Sequence, residues 1–303
     1  MEQQIPDSAY QVLRASIIKY RGRPVGTRAV SPSAAAPEAR NYVDCVVRDF
    51  VVSALAFLAL GEREIVANFL DIMVRLHQDD QATSPRPTVM PASFTVNSTD
   101  PQERLVADYG DRAIGRVSPV DSMYWWTILL TIYVRSTGDR RLALRGEVQD
   151  TLKWVLERCL PDGANGFPSA SVPDGSMMID RPLGVSGHPL ELQVLQYAAL
   201  RSAQEVLAPG SPLGLPAARG AEVLRNHLRS HYWLDLVRLQ IIYRFPTEEF
   251  DHTSNPFNIQ PEAMPEWVQE WMPDTGGYFA GNLGPGRLDY RYFAMGAKLG
   301  CRR

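Results

Sequence analysis

No stretch of this sequence is apolar for long enough to cross a bilayer. The longest clean run, 51–60, falls far short of the roughly 20 residues a membrane helix needs. The opening MEQQIPDS is polar and lacks the apolar core of a signal peptide, so the expected location is cytoplasmic and no membrane partner is expected. Basic charge is not in excess either: 31 Lys and Arg face 34 Asp and Glu, for a net charge of -3. The basic residues are scattered, which argues against nucleic acid as a partner. Cysteine is scarce, with Cys45, Cys159 and Cys301 widely spaced and no Cys-x-x-Cys, so neither a disulfide framework nor a zinc site is expected and the thiols read as reduced. His227 and His231 have metal-like i, i+4 spacing, but no acid completes a His-Glu-x-x-His pattern, and no metal is expected. Glycine-rich phosphate loops and a Gly-x-Ser-x-Gly elbow are also missing, which leaves carboxylate chemistry and no cofactor. Alternating strand patterns are scarce, and no low-complexity tract or linker divides 1–303, so a single domain is expected.

What the chain does have is helical periodicity of two kinds. Val43 to Leu60 is apolar on nearly every face, whereas Glu62 to His77 keeps Ile65, Phe69, Met73 and Leu76 on one side with charge opposite. The alternation returns with Asp121 to Thr137, apolar all round, then Arg140 to Leu160, striped by Val148, Leu152, Val155 and Cys159. A third pair is Pro189 to Leu207 with a broken Ala217 to Phe245, and a seventh helix is expected to begin near Arg287. Buried and half-exposed helices in succession are what a toroid of helical hairpins produces, with an inner ring at the centre and an outer ring facing water. The expected fold is therefore all-α. Its long loops, 78–120, 161–188 and 246–287, would emerge together where the inner helices begin.

Polar residues interrupt the apolar helices at their starts. Arg48 and Asp49 lie inside VVRDFVV, either as an ion pair tying two helices or facing a polar central cavity. Asp121, before Trp125 and Trp126, is either a plain N-cap or part of a carboxylate-and-indole site, the pairing that accepts sugar hydroxyls and packs on a sugar's C–H face. The adjacent indoles point about 100° apart on a helix, so one packs between helices and the other meets a ligand. Within 161–188, Asp162 and Asp174 precede glycine and read as turn residues. Asp180 lies between Met177-Met178-Ile179 and Arg181, a setting where burial would raise and the cation lower its pKa. His188, Glu191 and Gln193 open the next helix, where Glu191 is either a first-turn acid or a ligand group. Trp267 and Trp271 read as packing residues of a loop helix.

GRPVGTRAV at 22–30, NYVDCVVRDFVVSALAFLALGEREIVANFL at 41–70, MPASF at 90–94, IGRVSPVDSMYWWTILL at 114–130, PDGSMMIDRPLGVSGHPLELQVLQYAALR at 173–201 and GGYFAGNLGP at 276–285 resemble the neutral and alkaline invertases, glycoside hydrolase family 100. The resemblance implies an (α/α)6 barrel that hydrolyses sucrose to glucose and fructose in the cytoplasm, without metal. By the same resemblance Asp180 is the general acid. Arg48, Asp49, Asp121, Trp125, Trp126, Arg181, His188, Glu191, Gln193 and Asn282 would bind substrate. Two positions depart from the family pattern: Pro182 stands where it has a second Arg, and His188 where it has Tyr. A complete barrel has twelve helices against the seven read here, and the resemblance nominates no general base in this chain. The tail after Gly296 also departs from the family. The expectation is thus a C-terminally truncated invertase domain, impaired in turnover. The alternative is a non-catalytic remnant that binds sugar or serves as an interaction partner. An uncovered apolar side of an open toroid would favour association into a homo-oligomer.

Overall fold

The computed structural model describes residues 4–30, 42–83, 89–97, 102–112, 118–160, 170–172, 185–244, 259–284 and 287–294. Nine α-helices dominate these residues, together with ten strands of two to five residues in four small sheets. The fold is mostly helical, not all-α. Strands this short complete too few alternations to stand out from a helical background. The chain divides into two compact units, one of Met1–Arg158 with Ala199–Ala217 and the other of Cys159–Ala198 with Ala218–Arg303.

The first unit opens with α1 (Gln4–Ala15) and an antiparallel hairpin of β1 (Ile17–Tyr20) and β2 (Arg23–Thr27). A second sheet, in order β3-β4-β5, joins β3 (Cys45–Val46), β4 (Ser93–Asn97) and β5 (Arg104–Asp108). The helices are α2 (Val47–Ala59), α3 (Arg63–Thr83), α4 (Ser122–Thr137) and α5 (Gly146–Cys159). α2, α3 and α4 pack on one another around Phe50, Phe57, Phe69, Leu70, Met73, Leu129 and Leu130, each at most 1% exposed. Phe69 lies 4.2 Å from Phe50 and 6.1 Å from Phe94, ring centre to ring centre.

α4 is buried on nearly every face, as its sequence implies, and it stops at Gly138, whose φ of 69° suits a residue without Cβ. α2 differs from the expectation. Val47, Phe50, Val51, Ala54 and Phe57 are buried, but Val52 and Leu55 are 71% and 43% exposed, because none of the described elements covers that side. α3 runs six residues past His77 and buries its expected stripe together with Val66, Leu70 and Ile72.

In the second unit β6 (His188–Pro189) leads into α6 (Leu190–Val206), whose residues from Ala199 onward count with the first unit. α7 (Gly214–His227), which counts with this unit from Ala218 onward, ends in a π-helical turn, Leu228–Tyr232, then β7 (Trp233–Asp235) and α8 (Leu236–Arg244) follow. The expected break after Ala217 is therefore this turn and strand. Next come α9 (Trp267–Trp271), β8 (Gly277–Phe279), β9 (Asn282–Gly284) and β10 (Arg287–Asp289). β8 pairs with β7, and β9 lies between β10 and β6. Where the seventh helix is expected to begin, Arg287–Asp289 form this strand, and Leu288 and Tyr290 turn inward at period two; 295–300, the rest of the expected span, lies outside the described residues. Leu234, Ile242, Ile259, Val268, Tyr278 and Leu288 form the core of this unit.

Cys45 and Cys159 are buried, and Cys301 lies outside the described residues. No helix among the described residues is long and apolar enough to cross a membrane.

Candidate functional site

In the first unit the starts of α2 and α4 come together. Asp121 directly precedes α4 with helical backbone angles (φ -94°, ψ -16°), and its carboxylate makes no capping bond. Its Oδ2 instead accepts from Arg48 Nε at 2.7 Å and from Trp125 Nε1 at 3.1 Å. The four-residue offset between Asp121 and Trp125 is one helical turn, which brings the indole N–H over the carboxylate. Asp121 is 2% exposed, while the Arg48 side chain keeps 15% of its surface. A buried carboxylate with one charged and one neutral donor is well compensated, and its orientation is fixed from two directions.

Asp49 points outward and is exposed; even so, the protein beneath its carboxyl removes water and raises its pKa, Arg48 pulls it back, and Asp121 adds to the rise. Trp125 is half-buried beside this pair. Trp126 is wholly buried and donates to the Leu70 carbonyl at 3.2 Å. The expectation that Trp126 binds substrate is corrected on this point, because a ring with no exposed surface and its N–H committed to α3 is a packing residue.

In the second unit His188, Glu191, Gln193 and Asn282 are neighbours along β6, α6 and β9. His188 pairs with Leu283, and Pro189 with Asn282, across the sheet. The carbonyl of Ala170 is the hub: Gln193 Nε2 donates to it at 2.6 Å and His188 Nδ1 lies 3.1 Å away. A carbonyl only accepts, so Nδ1 carries the proton. Gln196 completes the clamp, accepting from Ala170 N at 3.0 Å and donating to the Cys159 carbonyl at 3.0 Å. Tyr232 OH donates to the His188 carbonyl at 2.6 Å. Gly187, at φ 103°, lies so close to β9 that a Cβ would stand 2.9 Å from the Leu283 oxygen. Glu191 is 8% exposed in the first turn of α6. Asn282 donates to the Ser186 carbonyl at 2.6 Å, and its buried Oδ1 has no partner among the described residues. A buried acceptor left open is costly and suits a ligand hydroxyl.

Asp180 and Arg181 lie outside the described residues. Two groups escaped the sequence reading. Gln196 holds the Ala170 backbone that His188 and Gln193 also hold, Tyr232 holds the His188 carbonyl, and a pair of buried Gln three apart on an apolar helix was the available signal. Asp44 and Asp108 form a buried acidic pair in the first unit, with Arg112 2.9 Å from Asp44. Burial raises the Asp44 pKa most, Arg112 offsets it, and Asp108 adds to the rise. No cluster among the described residues has the make-up of a metal site.

These features define a mostly helical protein whose helix starts carry carboxylate, guanidinium, indole and amide groups. The chain belongs to the family of alkaline and neutral invertases, whose family model matches residues 9–302. That match runs through the tail, which corrects the expectation that it departs from the family. Alkaline/neutral invertase CINV1 of Arabidopsis thaliana is 45% identical over 297 residues, covering 95% of this chain and 54% of its own length. Alkaline/neutral invertase C, mitochondrial, of the same plant is 43% identical over 97% of this chain and 46% of its own. Neutral/alkaline invertase 3, chloroplastic, of Oryza sativa subsp. japonica is 43% identical over 96% and 50%. The chain spans about half the length of the curated relatives it matches. A solved rhamnosidase from Klebsiella oxytoca with rhamnose bound superposes with a TM-score of 0.45 at 17% identity, over 67% of this chain and 36% of its own.

The cytoplasmic expectation is overturned by these relatives, several of which are named mitochondrial or chloroplastic at the same level of identity. The motifs that carry the resemblance mark the family, and they hold no address.

Proposed function

We propose that the chain is part of a sucrose-hydrolysing invertase catalytic domain, built as a toroid of helical hairpins. It would supply the general acid and much of the grip on the sugar. The observation that carries this reading is the Asp121 carboxylate held by Arg48 and the Trp125 indole at two helix starts. Such a group accepts from sugar hydroxyls, and the half-buried indole offers a face to the ring. The open Oδ1 of Asn282 supports a second polar contact. Glu191 would accept from a hydroxyl, and Arg181 would act beside Asp180. Gln193 and His188 serve as positioning residues through Ala170. Asp180 would protonate the glycosidic oxygen, for which its carboxyl must hold a proton near neutral pH. Inversion further needs a base about 6.5–9.5 Å from the acid to activate water. The family resemblance nominates none in these 303 residues.

The test is made in a chain extended to the family's full length. Asp180→Asn there should abolish glucose release from sucrose while calorimetric sucrose binding persists. Unchanged turnover would remove Asp180 from the acid's role. The second reading, a sugar-binding protein without turnover, is favoured by the un-nominated base. It is distinguished by sucrose binding to the 303-residue chain with no glucose released.

A further inference from the structure

The second unit contains a hollow that the groups above do not use. Trp267, Glu270, Trp271, Arg291 and Tyr292 line a shallow, open hollow of about 570 Å³. The sequence assigns both tryptophans to packing, yet Trp267 and Trp271 are 41% and 52% exposed, and Tyr292 is 47% exposed. Three large aromatic side chains left in water side by side are unfavourable unless something covers them. They are nevertheless held in place. Trp271 meets Tyr278 edge-on at 4.8 Å and 79°, and Tyr278 OH is tied to the Tyr290 carbonyl at 2.6 Å. Trp267 stands 6.5 Å from Trp271 at 67°. Beneath them Val268 and Met272 anchor α9 in the core. Asp289 fixes the Arg291 guanidinium by a paired contact.

A hollow of this size lies within the roughly 300–1,000 Å³ of small-molecule pockets. Its indole faces suit a flat, C–H-bearing surface, its carboxylate accepts from hydroxyls and its guanidinium donates. Glu270 opposes an anion, Asp289 already balances the Arg291 charge, and a wholly apolar ligand would strip these groups of water without replacing it. An uncharged ring with an apolar face and a rim of hydroxyls satisfies all of these conditions. We propose that this hollow is a second, non-catalytic hexose-binding site, lined by none of the groups assigned to sucrose hydrolysis.

The intact 303-residue chain, labelled with 5-fluorotryptophan, gives one fluorine resonance for each of its six tryptophans, assigned by single Trp→Phe variants. It is titrated with sucrose and, separately, with maltoheptaose. The Trp267 and Trp271 resonances should move with at least one of them: with sucrose if the site takes a free disaccharide, with maltoheptaose if it takes the rings of a longer glucan. Trp271→Ala should weaken that response about tenfold and leave any sucrose response of Trp125 unchanged. Trp271→Phe, which keeps a ring, should retain most of it and serves as the folding control. Silence of Trp267 and Trp271 up to roughly 50 mM of either sugar, well above millimolar affinity, overturns the proposal whatever Trp125 does. Movement of these two with Trp125 silent counts instead against the hydrolytic reading. Silence combined with a loss of sedimenting mass in Trp271→Ala would make the hollow an interface between copies, and the proposal would fall.

Discussion

Asp121 shows how a residue that looks like a helix cap can be committed elsewhere. Because its Oδ2 holds both Arg48 and Trp125, Asp121→Ala leaves a guanidinium and an indole N–H without their acceptor. It should cost about 3 kcal/mol in urea denaturation, near the low end for a broken buried pair because Arg48 keeps some solvent. His227 offers a different test. Burial, with His231 and His188 adding to it, lowers its pKa from 6.5 to about 4. Between those values the unfolded chain binds a proton that the folded one does not, so this contribution to stability is full above pH 6.5 and is lost as pH falls toward 4. The expected loss between pH 7.5 and 5 is about 2 kcal/mol, and His227→Gln should flatten that slope in parallel melts. The residue types at the sites were legible because charge inside an apolar helix is rare. Their division of labour was not, since only contacts show that Trp126 packs while Trp125 turns to a carboxylate, or that Gln193 serves a backbone carbonyl.

At the scale of elements, the long helices were legible and the short strands were not. A run such as 121–137 repeats its period often enough to be read, whereas β10 offers one inward residue, Leu288, with Tyr290 just past its end, and was mistaken for the start of a helix. Apolarity alone also misjudged α2, because it reports what a face can bury and not what lies against it. The two sides of α2 should therefore respond differently to substitution. Phe57→Ala is expected to cost about 3–5 kcal/mol and Val52→Thr less than about 0.5 kcal/mol, both measured by urea denaturation. At the β6–β9 contact Gly187→Ala should cost about 1–3 kcal/mol, through the positive φ and the close Leu283 oxygen together.

For the whole molecule, membership of the family was legible in ordered motifs that cover most of the chain, while the division into two compact units was not, because no linker marks it. α6 itself runs from one unit into the other. The compartment was misjudged, since members of one family fold by the same chemistry wherever they are sent. Under the proposed function, Asp180→Asn in a chain of full family length is expected to slow glucose release from sucrose about a thousandfold or more, the order of effect for a lost general acid. A coupled glucose assay on the variant and its parent checks this.

The π-helical turn at Leu228–Tyr232 carries one residue more than regular winding would use. Deleting a single residue there would let the helix run on smoothly, yet it would swing the Tyr232 phenol by about 100° and carry it off the His188 oxygen. A shorter, more regular chain would thus lose its latch on β6.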